Sequence, residues 1–552
     1  MSEFLKTGVA LGAAVALTAL AVSMKPGEVR LDLFDDQGEQ FFPEFTDGDA
    51  INELEVTAFR EASSDIYAFA VKRDEDGVWR IPSHGNYPAD ANDQMGKAAA
   101  MLIGLEKDSV VGDAKGRHAE YGLVDPLAEG VETEGRGKRV KLKDKAGNVL
   151  ADLIVGDEVE GKAGVFYCRL PDKKRVYRTK LQGSLSTQFA DWIETDLLKA
   201  KSWNVDKIVF DNYSIDEQKG QIVKGDVLVL AKGEDNKFAL EGLDAASEET
   251  NVEKATEVGN ALGEIKIVGV RPKPEGLTAR LERANGFEAQ ILRQQLASKG
   301  YFLAGGKLVS NEGDLIFETK SGVRYTLRFG ELVYGEGDEV TAGIGSAAEA
   351  EGDDKPAANN RYLMVTAEFV EDLLDKPTGP RMEQAELDKR RQARTTVEAI
   401  VKAVEAFKLE NEGALPEGLE ALTQNPEEGE PLLAEVGPDP WGNEYVYTKE
   451  GEAFFVVSYA RDGKPSGSDA DQDVSSAALA FEDSLNEAAD AWQSYDGQVE
   501  TGTKEADDLT KRFGPWYYVI DKALFDKLKP SRADLVQAKA QDADAPAQDG
   551  GK

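Results

Sequence analysis

The densest group of chemistry-bearing side chains in this 552-residue chain is the run Asp462-Gly-Lys-Pro-Ser-Gly-Ser-Asp469-Ala-Asp471-Gln-Asp473. Four carboxylates, Asp462, Asp469, Asp471 and Asp473, are set there among glycines and small residues. Calcium takes about six to eight oxygen ligands, and carboxylates on a glycine-rich loop supply them together with carbonyls and water. The pattern is not an EF-hand. Asp469, Asp471 and Asp473 have its opening spacing, but Val474 stands where the invariant glycine belongs and Ala480 where the closing glutamate belongs. The competing reading is a solvated acidic loop, since Asp and Glu number 103 against 65 Lys and Arg.

Other reactive residue types are sparse. Cys168 is the single cysteine, so no intrachain disulfide forms, and its strand-like setting Val165-Phe-Tyr-Cys-Arg-Leu170 reads as core. His84 and His118 are the only histidines, without a metal-ligand spacing. There is no nucleophile elbow and no phosphate loop. Gly343-Ile-Gly345 lacks the strand-loop-helix context of a dinucleotide turn. Carboxylates are spread so widely that no pair stands out as acid and base. The expectation is a protein without a catalytic centre. The net charge of -38 argues against nucleic acid and against a body lying flat on anionic lipid.

The acidic loop needs elements to hold it. Glu383 to Leu409 has helical spacing in Val397, Ile400, Val401, Val404 and Phe407. Leu415-Pro416, Leu419 and Leu422 begin a second element, and Asp439-Pro-Trp-Gly-Asn443 forms a tight turn. The strands Glu444–Tyr447 and Phe454–Tyr459 then lead into the loop. An amphipathic helix is predicted over Ala477–Tyr495 and a polar linker over Val499–Asp508. Strand-like Arg361–Phe369 and Trp516–Ile520 flank the region and are natural partners, so it reads as an insertion leaving and rejoining one sheet.

Upstream the chain is predicted to repeat itself. Short strands Val29–Phe34, Glu55–Phe59, Ile66–Val71 and Val78–Ile81, the third and fourth joined by an Asp76-Gly77 turn, precede a helix within Asp90–Leu105. Strands follow at Val140–Lys143, Val149–Val155, Phe166–Leu170 and Val176–Tyr177, the first two joined at Gly147-Asn148. In the second copy Lys237–Leu240 stands for Val78–Ile81, a helix over Asn251–Leu262 follows, and Ile265–Val270 parallels Ser109–Gly112. Tyr301–Leu303, Asp314–Phe317, Tyr325–Phe329 and Leu332–Tyr334 give another meander. Ahead of it all, Thr7–Met24 is a long uncharged apolar run, just sufficient to span a hydrocarbon layer as an anchoring helix. A cleaved signal has the same outline, with Ala19-Leu-Ala21 or Ala21-Val-Ser23 as small-residue sites. The tail Gln537–Lys552 has a disordered composition.

The order Trp-Arg-Ile81, helix, Val-Val-Gly112, Tyr121-Gly-Leu-Val-Asp-Pro126, Ile154-Val-Gly156-Asp and Tyr-Cys-Arg169 resembles the domain-of-unknown-function family 4340 over about Val29–Phe369 plus a short C-terminal piece. That resemblance implies an accessory component of gliding-motility-type ABC transport systems, with a membrane helix, an extracytoplasmic body and no established enzyme activity. Residues Arg391–Val474, with Asp439–Asn443 their most specific part, resemble the globular domain of the type II secretion major pseudopilin. That family's last loop binds calcium, which implies Asp462 and Asp473 as foremost ligands with Asp469 and Asp471 nearby. Ser466 departs from the family's glycine. The charged Glu383–Arg394 replaces the apolar half-helix and peptidase motif a pseudopilin needs, which puts polymerisation in doubt.

The expected fold class is α+β: an N-terminal transmembrane helix (1–28), tandem antiparallel-sheet and helix units (29–195 and 196–340), and a linker and strand (341–380). An inserted pseudopilin-like α+β module with its following helix (381–500), a return strand and helix (501–535) and a disordered tail (536–552) complete it. The expected role is a non-enzymatic scaffold or adaptor of an ABC-type transport system. It would sit at the inner (cytoplasmic) membrane, single-pass, with its bulk periplasmic and with integral transporter subunits or secretion components as partners. A type II secretion-like component and an envelope-polymer hydrolase are the alternatives.

Overall fold

The computed structural model describes residues 36–539 except 61–64, 131–132, 184, 217–218, 220, 275–276, 278–285, 305–306, 336, 344–359 and 425–429, together with Thr18. The predicted anchor Thr7–Met24 (Thr18 apart), the predicted strand Val29–Phe34 and residues 540–552 of the tail lie outside the described residues. Among the described residues no helix is long and apolar enough to cross a membrane.

Alternating sequence builds the first sheet. Its strands are β1 (Glu53–Arg60), β2 (Asp65–Arg73), β3 (Trp79–Ile81), β4 (Tyr87–Pro88), β5 (Ser109–Gly112), β6 (Lys138–Lys143), β7 (Val149–Glu158), β8 (Val165–Arg169) and β9 (Val176–Lys180). Helix α1 (Asn92–Leu102) lies between β4 and β5. The order is β4-β3-β2-β1-β6-β7-β8-β9-β5, and every pairing is antiparallel. Leu54, Val56, Val140, Leu142, Ala151 and Leu153 point to one face and are buried against α1 residues such as Ala98 and Leu102. The predicted turns form where expected, with Gly77 (φ 82°) and Gly147 (φ 86°) in the left-handed conformation that glycine adopts without steric cost.

The second sheet follows the same plan with additions. Its strands are β10 (Val205–Asp211), β13 (Val227–Lys232), β14 (Phe238–Leu240), β16 (Gly269–Pro272), β19 (Asp314–Thr319), β20 (Val323–Val333), β21 (Asn360–Phe369) and β25 (Trp516–Asp521), with α2 (Val252–Leu262) between β14 and β16. The order is β14-β13-β10-β19-β20-β21-β25-β16. Taken position by position, this is the order β3-β2-β1-β6-β7-β8-β9-β5 of the first sheet. The additions are a hairpin β11 (Ser214–Asp216) and β12 (Gln221–Val223), then α3 (Gly286–Ala297) with the hairpin β17 (Tyr301–Ala304) and β18 (Lys307–Ser310), and the short α4 (Asp338–Thr341). Strand β15 (Glu248–Thr250) pairs with β26 (Val536–Ala538), which follows α7 (Lys522–Lys527) and α8 (Arg532–Leu535).

One apolar core runs through both sheets. At the seam Tyr87 meets Trp516 with ring centroids 4.9 Å apart. His84 stacks on Phe189 at 4.1 Å and shares a 3.0 Å hydrogen bond with Thr341.

Between β21 and β25 lies the inserted module: α5 (Gln384–Glu410), β22 (Val446–Glu450), β23 (Ala453–Ser458), β24 (Val474–Ser475) and α6 (Leu479–Phe513). The predicted pairing of the flanking strands is present, with Arg361 opposite Ile520 and Leu363 opposite Tyr518. Four details differ from the sequence reading. The polar linker Val499–Asp508 is absent, because α6 continues to Phe513 and buries Ala506, Leu509 and Phe513 against the sheet. The strand equivalent to Ser109–Gly112 is Gly269–Pro272, four residues later than Ile265. Tyr301–Ala304 forms its own hairpin with β18 instead of joining the meander. Gln537 and Ala538, read as tail, pair with β15.

Candidate functional site: the acidic loop of the inserted module

The loop is held from below by Asp439, 3 % exposed. Its carboxylate accepts hydrogen bonds from Trp441 N (3.0 Å), Asn443 N (2.7 Å) and Ser458 Oγ (2.6 Å). Asn443 Nδ2 donates onward to Ala460 O at 2.7 Å. The Asp-Pro-Trp-Gly-Asn turn is therefore a polar hub that joins the turn to the end of β23, where the acidic loop begins. Trp441 Nε1 donates to Glu386 on α5 at 3.0 Å, tying the turn to the helix. A neutral core of Ala393, Val397, Ile400, Val404, Val456 and Val474 closes the module.

Asp462 Oδ1 accepts from Lys464 N at 3.1 Å within an exposed turn. Asp469 and Asp471 lie on one 3-10 turn; the side chain of Asp469 is outside the described part. Asp471 Oδ1 pairs with Arg461 Nε at 2.8 Å, and that hydrogen bond holds its pKa below the usual carboxylate value. Asp473 Oδ2 accepts from Ser466 N at 2.9 Å, while its Oδ1 is enclosed and has no hydrogen-bond partner. Ser466 itself has φ 63°, the left-handed conformation that a glycine adopts without strain. Among the described residues no three carboxylates, histidines or cysteines gather as a metal-ligand set. Among the described side chains of the loop, Asp473 is thus the one with an enclosed carboxylate oxygen that no hydrogen bond satisfies.

The residue that anchors this loop is not among those the acidic run contains. Arg390, 1 % exposed, lies on the buried stripe of α5 between Leu387 and Ala393. Its Nη1 donates to Gln472 O (2.9 Å) and Ala470 O (3.3 Å), the carbonyls on either side of Asp471. Its Nε donates to Glu482 Oε2 at 3.1 Å and its Nη2 pairs with Glu482 Oε1. The planar fork of arginine serves both partners at once. Glu482 is 3 % exposed and lies on α6. A charge standing on an apolar helical stripe was the available signal.

Cys168 and His118 are both buried in the body. Cys168 is fully buried, and burial pushes its thiol pKa up. His118 Nε2 shares a hydrogen bond with Lys174 O at 2.9 Å, and burial lowers its pKa. The Tyr121–Pro126 signature docks a loop on β7: a Cβ at Gly156 would stand 2.1 Å from Tyr121 O. Arg169, buried, donates to Leu123 O at 2.7 Å and to Pro171 O at 2.9 Å, fastening that loop to the β8–β9 turn.

The family described as "Domain of unknown function (DUF4340)" matches residues 79–280. "Type II secretion system (T2SS), protein G" matches residues 381–477. A curated relative, "Type II secretion system core protein G" of Xanthomonas campestris pv. campestris, is 32 % identical over 89 residues. Those residues make up 15 % of this chain and span 62 % of that relative's length. The chain therefore carries a region similar to DUF4340 and, beyond it, a region similar to protein G of the type II secretion system.

Proposed function

We propose that this protein is a non-enzymatic scaffold that holds a pseudopilin-like module at a fixed position relative to a duplicated sheet body. In this reading Thr7–Met24 anchors the chain in the inner membrane, with its bulk on the periplasmic side. It serves an ABC-type transport system of the gliding-motility kind as an adaptor. The observation behind it is the double tether of the module. Helix α6 leads straight from the module to β25, and the incoming segment runs beside it. Tyr495 Oη donates to Glu371 at 2.8 Å, Trp492 Nε1 donates to Gly379 O at 2.9 Å, and Arg381 pairs with Asp496 at 2.7 Å. A mild-detergent pull-down of the full-length protein from its native membranes tests the assignment. Permease and ATPase subunits of a transporter are the expected companions.

The protein G domain favours a second reading, a component of a type II secretion-like apparatus. Recovery of secretin or pseudopilins in the same pull-down would replace the first reading with it. In either case the acidic loop takes calcium, with Asp473 and Asp462 as the foremost ligands and Asp469 and Asp471 near them. The enclosed, unpartnered Asp473 Oδ1 supports this, since such an oxygen lacks the partner that buried polar atoms normally have. Calcium should raise the melting temperature of the full chain, and Asp473→Ala should abolish that rise. Absence of any rise in the native protein would remove calcium from the account.

A further inference from the structure

Two of the additions that distinguish the second sheet from the first border one cleft. Ile222 of β12 with Lys224, Gly225 and Val227 after it forms one wall, Lys307, Leu308 and Val309 of β18 form the other, and the cavity between them is about 740 Å3. Its floor is the outer face of the sheet, opposite the core. There Tyr213 Oη donates to Asp314 Oδ1 at 2.5 Å and Arg328 pairs with Asp314 Oδ2 at 3.1 Å. Arg328 Nε is enclosed without a partner. Among the described residues the first sheet has neither the β11–β12 nor the β17–β18 hairpin. Arg136 lies over the Phe59 ring, 5.0 Å from its centroid, and donates to Pro126 O at 2.7 Å.

The lining of the cleft has two characters. Ile222 and Val227, 43 % and 58 % exposed, offer aliphatic surface together with Leu308. Lys224 on one wall and Lys307 on the other are exposed, and among the described residues neither has an ion-pair partner. The cations Lys224, Lys307 and Arg328 face the carboxylates Asp211 and Asp314, and Asp314 is already engaged by Arg328 and Tyr213. In a chain of net charge -38 most of the surface repels anions. Here cations from both walls remain unmatched beside apolar surface, the combination of apolar lining and few convergent polar groups that marks a ligand site.

We propose that this cleft binds an organic monoanion with an aliphatic body, such as an alkyl carboxylate. The headgroup lies between Lys224 and Lys307 and the chain against Ile222, Val227 and Leu308. The inference is independent of the adaptor and calcium readings.

Isothermal titration calorimetry on the full chain, with octanoate as probe, tests it. One saturable site is expected. Acetate, which lacks the chain, and octyltrimethylammonium, which reverses the charge, should bind at least ten-fold more weakly. The double variant Lys224→Glu, Lys307→Glu should weaken octanoate at least ten-fold without altering the melting temperature, since both side chains are exposed. Val227→Asp should do the same from the apolar side. No saturable binding of octanoate would overturn the proposal. So would equal binding by the wild type, the double variant and Val227→Asp.

Discussion

The two sheets share a strand order and differ in what is hung on it. What they keep is informative. In the first, the backbone of Tyr121-Gly122 lies against Gly156 of β7; in the second, that of Lys299-Gly300 lies against Gly330 of β20. A Cβ at Gly156 would meet Tyr121 O at 2.1 Å, and one at Gly330 would meet Lys299 O at 2.0 Å. Gly122 and Gly300 both take positive φ, 65° and 78°. The pinning of the outer-face loop is thus a feature of the duplicated unit. What changed is the link between the last two central strands, a short turn from Leu170 to Arg175 in one and residues 370–515 in the other. The sheet tolerates this because the ends of an antiparallel pair stay adjacent whatever joins them.

The largest effects should come from the shared pins. Gly156→Ala and Gly330→Ala should each cost about 4 kcal/mol or more, because both obstacles are backbone atoms that cannot swing aside. Chemical denaturation checks this; if one substitution were silent, the two positions would not be equivalent. The second sheet's private addition comes next. Glu482→Ala leaves Arg390 buried and unpaired, at a cost of about 3 kcal/mol. Calorimetry should then show the module melting ahead of the body, whereas a uniform shift of one transition would mean the module has no separate cooperativity.

The seam between the sheets should respond to acid. Burial lowers the His84 pKa to about 4, against about 6.5 in the unfolded chain. The unfolded state therefore takes up the proton first as pH falls. Stability from the neutral ring is complete above about pH 6.5 and declines toward pH 4, by at most about 3 kcal/mol. Melting curves across that window should flatten in His84→Gln, and an unchanged slope would discount the ring. The smallest effect belongs to the tether's exposed ion pair. Asp496→Ala should change stability by less than about 0.5 kcal/mol, and a larger loss in denaturant titration would show that the pair holds the tether.

Much of this was legible in the chain. Alternation in Leu315, Phe317, Tyr325 and Leu327 fixes the inward face of the second sheet, and complementary strands at Arg361–Phe369 and Trp516–Ile520 reveal the insertion. The continuity of α6 was hidden because the polar run Val499–Asp508, which contains Gly502, reads as a linker. Gly502 is instead a contact position, where a Cβ would stand 2.3 Å from Ser321 O. Of the loop, the acidic residues were plain. Arg390 and Glu482 were not, because they are far apart in sequence and only helix packing brings them together.

The directness of the join between α6 and β25 has a mechanical consequence. Only Gly514 and Pro515 separate Phe513, buried in the core, from Trp516 at the start of the strand. A helix of 35 residues extends about 50 Å, so a small tilt at its sheet end becomes a displacement of several ångströms at the module. Force applied to the module would be delivered to β25 and, through its two neighbours β21 and β16, to the whole second sheet.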